Sequence, residues 1–180
     1  MNDSSVPPAA SGTVSAQLRA AFVATAYTVR LPGGGRAVIR VDAPLAPPLA
    51  ALLAHARESW GYLTAWNPGA QAGPAAANRA AQHLLYRLLA GQARRCMPGV
   101  GIGAARSGTS RWREASVWAL GIRPDALETL ARQFGQVAYL RGCGVSPARL
   151  VLTQVGVGSG IGSGIGSGVG SGTGAGMQRE

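Results

Sequence analysis

Lysine is absent from this chain of 180 residues; all 17 basic side chains are arginine. That excludes a phosphate loop of the Gly-Lys-Ser/Thr type, a Schiff-base lysine and a pyridoxal enzyme. Acids are scarce too, seven against 17 bases, which sets the formal net charge at +10. Charged residues are 13% of the chain, against about 25% in an average protein, so the basicity comes mainly from missing carboxylates. With two cysteines and two histidines, neither a structural zinc framework nor a disulfide scaffold is expected, and no metal or cofactor is implied. Alanine and glycine make up a third of the residues, which leaves enough larger apolar side chains for one small core. The first residues, with Asn2, Asp3 and two prolines, lack the apolar run of a signal peptide. The longest uncharged stretch, Val155 to Ala175, is half glycine and unsuited to cross a membrane. Together with two unpaired thiols this predicts a cytoplasmic protein with no membrane partner.

What is present predicts one α+β domain over residues 15–153, between disordered ends at 1–14 and 154–180. In the tail every even position from Gly156 to Gly176 is glycine, with Ser159, Ser163, Ser167 and Ser171 four apart; such a segment has much entropy to lose and little to bury. Ser15 is placed to cap a short helix. Tyr27, Val29 and Leu31 alternate, Gly33-Gly34-Gly35 turn, and Ala37, Ile39 and Val41 alternate back as a hairpin. A helix through Leu49, Leu52 and Leu53 follows, then a strand over Tyr62 to Trp66. Asn78 heads a helix with Ala81, Leu84, Leu85, Leu88 and Leu89 on one stripe, ended by Gly91. A weak strand at Arg95 to Pro98, a flexible loop at Gly99 to Gly103 and a strand at Ser116 to Ile122 come next. A helix from Asp125 to Phe134 and strands at Val137 to Leu140 and Leu150 to Leu152 complete the domain. The order β-α-β-β-α-β after the hairpin predicts a ferredoxin-like split βαβ arrangement.

Tyr62-Leu63-Thr64-Ala65-Trp66-Asn67-Pro68, then Asn78-Arg79 opening a helix, then Trp112-x-Glu114-x-Ser116, then Leu130-x-Arg132-x-Phe134-Gly135-Gln136 stand in order along the chain. This series resembles the bacterial family designated domain of unknown function 3293, over about Tyr27 to Leu140. The resemblance implies an architecture and a set of candidate positions, and no reaction. The chain departs from the family pattern at Ile102 to Arg106, where acidic residues are usual, at Ala131 in place of Gly, and at Val137 in place of Asn.

The polar set Thr64, Asn67, Asn78, Arg79, Trp112, Glu114 and Gln136 predicts a ligand pocket. In it Arg79 would clamp an anion and Glu114 would serve as ligand or acid/base group. Each has a structural reading as well: an Asx turn at Asn67, a helix cap at Asn78, a helix-end amide at Gln136, and an ion pair between Glu114 and Arg79. His55, His83 and Cys96 lack the partners nucleophilic or general-base catalysis needs, although Arg94 and Arg95 beside Cys96 could lower its pKa. The favoured expectation is a non-catalytic binding or regulatory module for a small anionic metabolite or nucleotide. A second reading is nucleic-acid binding through Arg106, Arg111, Trp112 and Arg113, with the indole stacking a base between guanidinium groups. A third is an enzyme with Glu114 as general acid or base, which a pocket holding that carboxylate away from arginine would favour.

Overall fold

The computed structural model describes residues 14–104 and 111–153; the expectations for Arg106, the N-terminal residues before Val14 and the repeat tail lie outside them. Helix α1 (Ala16–Ala24) starts where Ser15 Oγ accepts the Leu18 N–H at 3.2 Å, the cap expected from the sequence. Strands β1 (Ala26–Arg30) and β2 (Arg36–Ile39) form the expected hairpin. Gly34 and Gly35 carry its turn at φ of 94° and 73°, values that side-chain-bearing residues rarely adopt.

The next helix is shorter than expected. α2 (Pro47–Ala50) is one turn, since the two prolines at its head donate nothing and the chain tightens into three-residue turns at Leu52 and Leu53. Strand β3 (Ser59–Leu63) ends before Thr64, earlier than expected. Helix α3 (Ala75–Ala90) begins after Pro74, so Asn78 lies inside its first turn and is not its cap.

Strand β4 runs over Arg95–Ala104 and β5 over Arg111–Leu120. The expectation of a flexible loop at Gly99 to Gly103 is therefore corrected: those glycines are strand residues, paired with Ser116 through Trp112. Helix α4 (Pro124–Gln133) and strands β6 (Ala138–Cys143) and β7 (Arg149–Leu152) follow as expected in order.

The strands form one curled antiparallel sheet in the order β2-β1-β4-β5-β3-β6-β7. Its two edges meet at one end. Val41 bridges Ala148, and the Asp42 and Ala148 N–H groups bond across to Ala148 and Ala43. The face inside the curl buries Val29, Ile39, Leu49, Trp60, Tyr62, Trp118 and Leu140. The outer face packs Leu63, Val117 and Ala119 against Leu85 and Leu89 of α3 and Leu127 and Leu130 of α4. Each residue of a pleated strand points opposite to its neighbour, so on β5 Trp118 and Leu120 face inward while Val117 and Ala119 face the helices. No helix among the described residues is long and apolar enough to cross a membrane.

Candidate functional site

The β5 alternation that turns Trp118 inward carries Ser116, Glu114 and Trp112 onto the same inner face, toward the end of the curl away from the Val41–Ala148 closure. Opposite them on β4 stand Gly99, Gly101 and Gly103. Cross-strand partners share a face, so three missing side chains leave a trough beside the β5 residues. Trp112 lies across it. A Cβ on Gly103 would overlap the Trp112 indole, and one on Gly101 would press it at 3.3 Å. Tyr27 and Tyr62 form the floor, their rings edge to face at 5.4 Å. Phe22 of α1 covers the trough from outside, held by the Tyr27 hydroxyl donating to its carbonyl at 2.8 Å.

The result is a cavity of about 40 Å³ lined by Phe22, Tyr27, Tyr62, Trp112 and Glu114. It adjoins a wider recess of about 330 Å³ between α1, Trp66, Ala70, Gln136 and Val137. Glu114, Trp112, Phe22 and Gln136 border both spaces.

Among the described residues one neighbour holds Glu114: the Asn67 Nδ2 amide donates to its Oε1 at 2.7 Å. Asn67 is itself fixed, in the left-handed region at φ 51°. Its Oδ1 accepts from Asn78 Nδ2 at 2.8 Å and Gly73 N–H at 3.1 Å, and its own N–H donates to Asn78 Oδ1 at 3.0 Å. Asn78 and Asn67 thus act as a relay that aims one amide at the carboxylate. Burial raises the Glu114 pKa above the usual carboxylate value, the Asn67 bond opposing it. Burial likewise pushes the Tyr27 and Tyr62 phenols above their usual range.

Gln136 is buried and donates from Nε2 to the Trp66 carbonyl at 3.0 Å, with its amide at the recess wall. Thr64 has a local duty, donating to Ala115 O at 2.7 Å and accepting from Trp66 N–H at 3.0 Å, which ties the end of β3 to β5.

Arg79 is not brought to the site. It is exposed on α3 and borders neither space, so the expected ion pair with Glu114 and the expected anion clamp are not formed. Trp112 packs inward on Gly101 and Gly103, while Arg113, one residue on, is exposed; Arg106 and the Arg111 side chain lie outside the described residues. The Cys96 thiol is pushed up to about 11 by burial, opposite to the lowering two adjacent arginines suggest, because Arg94 is turned onto Glu58. No cluster of three or more His, Cys, Asp or Glu side chains occurs among the described residues.

Phe22, Tyr27, Tyr62, Trp66 and the β4 glycines are site residues that the sequence reading missed. Their signal was present as period-two glycine opposite period-two Trp-Glu-Ser, legible only once the two stretches are paired. Asn67 gives the site its first test. Asn67→Gly keeps the left-handed backbone and removes the amide, at about 1–2 kcal/mol. Asn67→Ala is expected to cost about 1 kcal/mol more, from strain at positive φ. Urea denaturation of both variants measures the two contributions, and equal costs would show that φ adds nothing.

Residues 63–139 match the model of a family described as a protein of unknown function, DUF3293. The matched stretch holds Thr64, Asn67, Asn78, Trp112, Glu114 and Gln136, whereas Phe22 and Tyr27 precede it. No curated protein and no solved structure matches the chain.

Proposed function

With the span from Leu63 to Tyr139 assigned to that family, we propose that the chain is a small-molecule-binding module whose ligand is received at Glu114. One observation carries this reading. Five acids lie among the described residues, and four of them, Asp42, Glu58, Asp125 and Glu128, each sit within 4.0 Å of an arginine. Among the described residues Glu114 alone has no arginine within that distance, and it lines a cavity. A desolvated carboxylate without a counter-charge is costly, and a ligand that donates to it recovers part of that cost. An anionic ligand, expected from the polar motif residues and the positive charge, gains no support here, since the described lining residues include no cation.

The finer fold reading accompanies the proposal. The segment β3-α3-β4-β5-α4-β6 contributes the consecutive strands β4-β5-β3-β6, all antiparallel, an order that supports a ferredoxin-like split βαβ unit extended by the β1–β2 hairpin and β7. A cytoplasmic setting is proposed from the two free thiols.

A second reading, acid–base catalysis by Glu114, is favoured by the raised pKa, which brings a carboxyl nearer neutral operation. The test of the first is a thermal-shift screen of a charge-diverse metabolite set on the full chain and on Glu114→Gln. At least one compound is expected to raise the wild-type midpoint and to lose that effect in the variant. If every stabilising compound acts equally on both proteins, the recess is not the binding site. Turnover of a bound compound, lost in Glu114→Gln with binding kept, would move the catalytic reading to first place.

A further inference from the structure

On the reading that this recess binds a small molecule, we propose that its ligand is a primary amine. The ammonium group seats on Glu114 and an apolar body lies against Phe22, Trp66 and Trp112. The argument starts from what the carboxylate lacks. Asn67 takes Oε1, and no described side chain donates to Oε2, so this half-buried carboxylate at the cavity wall keeps one oxygen without a donor among the described residues. Pairing with a cation that arrives with the ligand offsets the penalty of a half-buried charge, which a neutral donor does only in part.

The walls agree. Phe22, Tyr27, Tyr62 and Trp112 surround the carboxylate, and aromatic faces attract an ammonium that has been stripped of water. The Gln136 amide spends its Nε2 on backbone carbonyls, which leaves its carbonyl as a second acceptor. Size selects among cations: the inner cavity of about 40 Å³ offers a few water-sized positions, enough for an –NH3+ head and too little for a trimethylated one. The outer recess of about 330 Å³, lined by Leu18, Ala21, Phe22 and Val137, takes an aliphatic or aromatic body.

The global field opposes this choice. A chain of net charge +10 attracts anions at long range, so a preference for a cation can come only from the local site. Isothermal titration of the full chain with hexylamine, hexanol and hexanoate, matched in body and differing in head, reads that preference directly. The amine is expected to bind at least about tenfold more tightly than the alcohol, with hexanoate weakest. Glu114→Gln is expected to weaken the amine by about tenfold or more and leave the alcohol within about twofold, while Phe22→Ala weakens both.

Alcohol or carboxylate binding as tight as the amine, amine binding indifferent to Glu114→Gln, or no amine binding at all would each overturn the proposal. The two readings fail separately. A neutral compound from the thermal-shift screen whose binding is lost in Glu114→Gln keeps the recess as a site and removes the ammonium from it.

Discussion

Gly144→Ala is expected to destabilise the protein by about 3 kcal/mol or more, since among the described glycines its added Cβ makes the closest approach to a neighbouring atom. Gly144 sits just after β6 at φ 54°, where a Cβ adds strain of about 1 kcal/mol. The larger part is collision: that Cβ would overlap the backbone carbonyl of Ala56, which cannot rotate away as a side chain can. Separating the two segments pulls on two buried bonds. The Gly144 N–H donates to Glu58 O at 2.9 Å, and the Trp60 indole N–H donates to Gly144 O at 2.9 Å. Trp60 is a central core residue, 1% exposed, with its ring against Trp118. Gly34→Ala is the control, since φ is 94° there and the added Cβ meets nothing within 4 Å. It is expected to cost about 1 kcal/mol, and urea denaturation of both variants isolates the collision. Equal costs would mean that the 56–58 segment shifts freely and that the closure around Trp60 is loose.

The contrast between those glycines shows what the sequence made legible. Gly34 and Gly35 stand between two alternating stretches, so turn and hairpin follow from local pattern alone, as does the Ser15 cap. Gly99, Gly101 and Gly103 read as a loop because glycine and Pro98 lower strand propensity; tertiary pairing with β5 overrides that propensity. Their purpose, making room for Tyr62 and Trp112, depends on residues 9 to 37 positions away. The same holds within the site. Glu114, Asn67, Asn78, Trp112 and Gln136 were marked by type and motif, and the fold assembles them. Arg79 stands in the same motif, in the pair Asn78-Arg79 expected to open a helix. Helix α3 in fact begins at Ala75, which turns Asn78 inward and leaves the next residue in solvent. A boundary shift of four residues, from a cap at Asn78 to one at Pro74, thus decides which neighbour reaches the site.

Two glutamates, Glu58 and Glu114, predict opposite responses to acid. Glu58 is 3% exposed and accepts two bonds from Arg94, at 2.6 and 2.9 Å, and one from the Ala54 N–H. The Arg94 contact, with that N–H, holds its pKa below the usual carboxylate value despite burial. A group lowered by folding contributes stability above its unfolded pKa, and the contribution is lost as pH falls through the folded one. Removing one partner of a buried pair costs about 3–5 kcal/mol. Arg94, 42% exposed, regains water when freed, so Glu58→Gln is expected to cost about 2–3 kcal/mol at neutral pH, and less in acid below the ordinary carboxylate range.

Glu114 carries the reverse sign. Its raised pKa means that the unfolded chain ionises first as pH rises, so stability falls from the ordinary carboxylate pKa up through the folded value and stays lower above it. The titratable groups that line the cavity with it, Tyr27, Tyr62 and Tyr139, remain neutral throughout that window. Glu114→Gln is therefore expected to match the wild type at low pH and to equal or exceed it at neutral pH. Unfolding midpoints of both variants against pH make the comparison. A Glu114→Gln protein that loses stability at neutral pH as Glu58→Gln does would show that Glu114 is a structural carboxylate, and the recess would lose its claim to be a binding site held at a cost to the fold.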